Sequence, residues 1–321
     1  MVKYTTEYHL SEHLEATYVQ GSKGPLFCLR AEGVPVEQHI SGRKLSAQNS
    51  NSGRSWQPSE IEDVGRHYVL FVPPFGEEIN LCRRFYSLVR SQLTQVGVIS
   101  LLPDVYGTGD SGGLLEEADW AVWQDDLVRV IRHFYLDNKK DECGENHKLS
   151  IIAMRAGCLF AANMLDSLSQ QLETLALENI VFVEPELNGK DVIDRLFRAR
   201  VMAQRLEGNR SESTRSLWML VEKGECVHAG GQALSSTLCH SMRDLTLDDN
   251  LLVLIGNKRT WFNLQRASMD SAGNSNPRFE KGLHLGWNVQ ERSSSPFWQA
   301  YEIEPEKALV EAVARAAARL Q

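Results

Sequence analysis

Five residues, Ala153-Met154-Arg155-Ala156-Gly157, join two apolar runs of opposite character. Leu149-Ser150-Ile151-Ile152-Ala153 reads as a buried strand running in. Cys158-Leu159-Phe160-Ala161-Ala162-Asn163-Met164-Leu165 reads as an apolar helix running out. A strand, a sharp turn with small flanking residues, and a helix make the support on which G-x-S-x-G enzymes raise an attacking side chain. The flanks are small because the strand and helix backbones come close. The centre of such a turn normally carries serine, cysteine or aspartate, and here it is Arg155. A guanidinium stays protonated at neutral pH and cannot attack a carbonyl carbon. The support for a nucleophile is therefore present without the nucleophile.

The elements that must position this turn follow from periodicity. Residues 16–31 alternate and turn at Gly21-Ser22-Lys23-Gly24, which reads as a hairpin. Residues 34–66 are polar and rich in Ser, Asn, Gln and Gly, and read as a long loop. Val69–Val72, Val98–Leu102, Leu149–Ala153, Ile180–Val183 and Leu251–Ile255 read as apolar strands, with a last strand at Leu283–Val289. Helices are expected over Leu81–Val96, Trp120–Leu136, the run after Gly157, and from about Glu304 to the end. Strands alternating with helices imply a mostly parallel central sheet covered by helices on both faces. The rhythm breaks at Pro185. Residues 189–207, 214–223 and 234–245 read as helices, with a short strand within 226–232. The expected class is α/β, an α/β-hydrolase fold. Residues 1–185 and 248–321 form its core, and 186–247 form a helical cap insertion.

Three further stretches bear on chemistry. Pro73-Pro74-Phe75-Gly76-Glu77-Glu78 follows the strand Val69–Val72. A loop there donates one backbone N–H to an oxyanion hole in this fold, and a plain Pro/Gly turn is the alternative. Phe75, Gly76, Glu77, Glu78, Arg155, Ala156 and Trp298 are the candidate pocket residues. Asp104-Val105-Tyr106-Gly107-Thr108-Gly109-Asp110-Ser111 reads as a structural turn: Gly107 and Gly109 permit the bend while Asp104 and Ser111 tie down loop amides. Gly109-Asp110-Ser111-Gly112-Gly113 also matches a protease string, but no apolar strand enters it directly and no apolar helix leaves it. A triad histidine would follow the last strand, and none of the nine histidines does; His284 falls within the expected strand. A triad acid would follow Leu251–Ile255, where Gly256-Asn257-Lys258-Arg259 offers no carboxylate. Arg195, Arg198, Arg200 and Arg205 read as a solvated helix face, with an anionic ligand as the alternative.

A cation pointing under a cap needs a partner. Glu77 or Glu78 is expected to meet Arg155 through paired hydrogen bonds, closing the former oxyanion site. Otherwise both glutamates cap the helix that begins near Ile79.

The 321 residues are 42% hydrophobic and 24% charged, with net charge −8. That charge argues against sequence-independent nucleic-acid binding. Six scattered cysteines, without C-x-x-C or clustered histidines, read as reduced buried thiols with no metal site. No cofactor is expected. No segment approaches the ~20 apolar residues of a membrane helix, so a cytoplasmic protein is expected.

The chain resembles the second α/β-hydrolase-like protein of the exosortase A system, a family encoded near exopolysaccharide biosynthesis and PEP-CTERM sorting functions. The likeness lies in Pro74-Phe75-Gly76-Glu77-Glu78-Ile79-Asn80 with Arg83-Arg84, in Asp104–Ser111, and in Trp120, Trp123 and Asp126. It extends to Met154-Arg155-Ala156-Gly157, Gly230–Ser235 and Pro296-Phe297-Trp298. It covers roughly residue 65 to the end; the polar loop at 34–66 departs from it. The resemblance implies a nominal ester or acyl hydrolase, and a small molecule or protein of the exopolysaccharide machinery as partner. Two functions follow. One is residual hydrolysis with water activated by Glu77 or Glu78. The other is a non-catalytic binding or assembly protein.

Overall fold

The computed structural model describes residues 14–32, 66–136, 147–171, 177–208, 212–247, 259–265 and 276–319. Strands buried on both faces need apolar residues at nearly every position. His67–Val72 (β3), Lys148–Met154 (β5) and Leu177–Val183 (β6) meet that need and lie centrally. With Leu14–Gln20 (β1), Pro25–Ala31 (β2), Ile99–Pro103 (β4), Arg259–Gln265 (β9) and Asn288–Ser293 (β10) they form an eight-stranded sheet. Its order is β1-β2-β4-β3-β5-β6-β9-β10. The pairs β1–β2 and β2–β4 are antiparallel and the rest are parallel.

The period-two alternation of strand side chains divides the core. Tyr68, Leu70, Val72, Leu149, Ile151, Ala153, Ile180, Phe182 and Trp261 face one side. There they meet Trp120–Ile131 (α2) and Ala156–Gln171 (α3), whose Trp123 and Phe160 rings lie 5.5 Å apart. Val69, Phe71, Ile152, Met154, Val181, Val183 and Phe262 face the other. They are covered by Glu78–Gln95 (α1) and Lys307–Ala318 (α8). Each large apolar side chain so buried contributes about 1.5–3 kcal/mol. Gly21 closes the β1–β2 hairpin by donating to the Gly24 carbonyl at 2.9 Å. Buried Asp126 then accepts from the Ser22 amide at 2.9 Å and the Tyr106 amide at 3.1 Å, pinning that hairpin to the sheet.

Between β6 and β9 the chain forms Gly189–Leu206 (α4), Thr214–Glu222 (α5), the ribbon Val227–Ala229 (β7) with Gln232–Leu234 (β8), and Ser236–Arg243 (α6). Asn188, Ser213 and Ser235 cap these helices by accepting a backbone N–H in the first turn.

Two expectations change. The helix after Trp120 is α-helical to Ile131 and continues as a π turn over Arg132–Leu136. The expected strand Leu283–Val289 is instead the end of a helix, Pro277–His284 (α7), followed by β10 at Asn288–Ser293. Asn276 accepts the Arg278 amide and Pro277 opens the helix, a start signal that outweighs the short apolar run. The strand beside β6 is Arg259–Gln265. The expected strand Leu251–Ile255 lies outside the described residues, as does the polar loop apart from Arg66.

Candidate functional site

β5 and α3 meet at Arg155, whose φ of +54° is left-handed. That conformation is uncommon and costly for a residue with a Cβ. Neighbouring strands hold it. The Arg155 amide donates to Val183 O at 3.0 Å, and its carbonyl accepts from Cys158 N at 3.1 Å and Glu186 N at 3.2 Å. Gly157 lets the turn sit against the β3 loop: a Cβ there would lie 2.2 Å from Val72 O and 2.5 Å from Pro73 O.

The Arg155 side chain is 5% exposed and fully engaged. Its Nε and Nη2 donate to the two carboxylate oxygens of Glu78, both at 3.3 Å. Nη1 donates to the Glu184 carbonyl at 3.4 Å, and Nη2 pairs closely with Glu186. The guanidinium carbon lies 5.2 Å from the Trp298 ring centroid, a cation–π distance. Glu186 also pairs with Arg195 of α4 at 2.5 Å and with Arg278 of α7 at 3.0 Å. Glu184, at φ +46°, pairs with Arg278 at 2.9 Å and accepts the Leu264 amide at 2.8 Å. Three arginines and three glutamates thus share one cluster, joining α1, the elbow, the end of β6, α4 and α7.

The cluster sets its own protonation. Burial pulls the Arg155 pKa down, but Glu78 and Glu186 outweigh it, leaving the group above its ordinary value. Burial pushes Glu186 up, yet Arg155, Arg195 and Arg278 together hold it below the ordinary carboxylate value. For Glu184 burial prevails over the Leu264 amide and Arg278, and its pKa is raised.

Arg155 therefore meets Glu78, one of its two expected partners. Glu77 is turned away and accepts the Tyr301 hydroxyl at 2.7 Å. Ala156 is buried at the start of α3. Gly76 adopts φ +70° beneath Leu196 of α4: a Cβ added there would lie 3.7 Å from Leu196 Cδ2. Phe75 packs away from the cluster, its ring 5.4 Å from that of Trp123. Trp298 stands over the guanidinium, and its indole Nε1 has no hydrogen-bond partner among the described residues. In the separate turn, Asp104 accepts the Asp110 amide at 2.9 Å and Ser111 Oγ donates to the Asp104 carbonyl at 2.6 Å. The Gly107 amide donates to Gly112 O at 2.9 Å. At Gly109 a Cβ would overlap the Asp104 carboxylate.

Sequence reasoning did not find Glu184, Glu186 or Arg278. The signal was Glu184-Pro185-Glu186, two acids just past the C-terminal end of a strand whose parallel neighbour leads directly into Arg155. Arg195, expected on a solvated face, enters the cluster instead. His284 ends α7, and no histidine follows β10 in the sequence. The stretch expected to place a triad acid, Gly256–Lys258, lies outside the described residues. The residues after Gln265 lie outside the described set. Among the described residues no group of histidine, cysteine and acidic side chains is arranged to hold a metal.

Two solved structures overlie nearly the whole chain. A putative hydrolase from Agrobacterium vitis S4 is 13% identical over 95% of this chain and 97% of its own, with a TM-score of 0.57. Est1E from Butyrivibrio proteoclasticus, solved with ferulic acid bound, is 11% identical over 94% and 97%, with a TM-score of 0.54. The fold is that of the α/β-hydrolases. No family model and no curated protein matches the chain. A guanidinium at the elbow offers hydrogen-bond donors and positive charge. Here Glu78, Glu184 and Glu186 take up both.

Proposed function

We propose that this protein is a non-catalytic α/β-hydrolase-like binding or assembly protein of the exosortase A kind. It serves exopolysaccharide production in the cytoplasm by holding a small molecule or a protein of that machinery. Residues 186–247 act as the cap over a core formed by 1–185 and 248–321. The observation that supports this reading most is the buried, ion-paired Arg155 at the position where a hydrolase holds its nucleophile. An attacking group must be free to reach a substrate carbon, and its base must be within hydrogen-bond reach. Glu78, which would activate water in a hydrolytic reading, has both oxygens on Arg155. Glu77 accepts from Tyr301.

Labelling with a fluorophosphonate, which reacts with activated serines, tests this reading. The wild-type protein should remain unlabelled under conditions that label a serine esterase fully. Stoichiometric labelling at any serine would overturn it.

A further inference from the structure

Helix α4 buries one stripe, made by Val192, Ile193, Phe197 and Val201. The opposite face of a surface helix is ordinarily polar. In the last turns of α4 it is not. Arg198, Met202, Arg205 and Leu206 fall at i, i+4, i+7 and i+8 and so share one face. All four are exposed, Met202 by 59% and Leu206 by 83%. No acidic residue occurs between Asp194 and Glu207. Arg195 and Arg200 of the same helix are held by Glu186 and Glu212. Arg198 and Arg205 form no ion pair among the described residues. Two cations with no ion pair among the described residues thus accompany two exposed apolar side chains.

We propose that this face docks on a bilayer carrying anionic headgroups. Apolar side chains standing out from a helix enter the acyl boundary without needing a prebuilt seat. Arginine suits the flanks, because its stem lies along apolar surface while the guanidinium reaches outward to phosphate. An acidic protein would match the charge, but it would need a concave seat for Met202 and Leu206. The net charge of −8 makes the molecule as a whole repel an anionic surface, which favours contact through a locally cationic face such as this one. The proposal involves no residue of the Arg155 cluster and stands apart from the reading of the elbow.

Co-sedimentation of the full chain with vesicles tests it. The wild type should sediment with phosphatidylcholine–phosphatidylglycerol vesicles, lose binding as salt rises, and stay in solution with phosphatidylcholine alone. Arg198→Glu with Arg205→Glu should lower partitioning by at least about tenfold. Met202→Ser with Leu206→Ser should lower it by about as much. Arg198→Lys with Arg205→Lys should retain it. All three double variants should melt with the wild type, because the replaced side chains are exposed. A wild type that ignores the mixed vesicles at low salt would overturn the proposal. So would charge-reversed and serine variants that both sediment like the wild type. Binding to polyglutamate without vesicle binding would replace the bilayer with an acidic protein.

Discussion

Arg155 combines two unfavourable features, a left-handed backbone and a charge removed from water. It persists because three carboxylate-bearing residues and an aromatic face surround it. Removing the cation would leave Glu78 and Glu186 buried with fewer counter-charges. Arg155→Ala should therefore destabilise the protein by about 2–4 kcal/mol in urea unfolding. An unchanged midpoint would mean that the pairing does not support the fold. Glu186 supplies a pH test. The folded state holds its carboxyl below the ordinary value of 4.5, so the unfolded chain takes up the proton first as pH falls. Its stabilisation is complete above that value and is lost as pH drops through the lower folded pKa. Glu186→Gln should be less stable than wild type by about 2–4 kcal/mol at neutral pH. The gap should narrow below pH 4.5; a constant gap would show that Glu186 is not the titrating group. That Arg155 meets Glu77 or Glu78 was legible in the sequence, since a cation at a strand end needs an acid nearby; the choice of Glu78 was not. Glu186 was not, because its approach depends on the turn at the end of β6.

At the scale of elements, the central strands were legible because burial on both faces demands unbroken apolar runs. The edge was not. β10, Asn288-Val289-Gln290-Glu291-Arg292-Ser293, is an edge strand with mixed exposure and carries one apolar residue. A reading by hydrophobicity therefore settled on Leu283–Val289, although Asn276-Pro277 announces a helix just before it. The described strand beside β6 is Arg259–Gln265, while Leu251–Ile255 and the expected place of a triad acid at Gly256–Lys258 lie outside the described residues. The elbow itself was read correctly as strand, turn and helix, because its small residues mark where backbones approach. Gly157 is the sharpest instance. Its absent Cβ would meet two backbone carbonyls, which cannot rotate aside. Gly157→Ala should cost about 3 kcal/mol in thermal or urea unfolding. A loss under about 0.5 kcal/mol, the range of an ordinary surface change, would contradict the close packing of α3 on the β3 loop.

For the whole molecule, the α/β-hydrolase fold and the chemistry at its elbow point in different directions. The fold raises an expectation of ester cleavage, while function resides in particular side chains and their arrangement. The α4 and α7 arginines extend the cluster outward, so both helices are tied to the elbow by charge, and α4 also lies against the β3 loop through Leu196 at Gly76. Restoring one hydroxyl should not restore a hydrolase, because a serine without a positioned base is a poor nucleophile. The most direct measurement is the pre-steady-state release of p-nitrophenol from p-nitrophenyl acetate, by wild type and by Arg155→Ser. Neither protein should show a burst, and steady release should stay near the buffer rate. A burst approaching one equivalent per chain in the wild type would contradict a non-catalytic elbow. A burst confined to Arg155→Ser would show that a working base stands beside the turn after all.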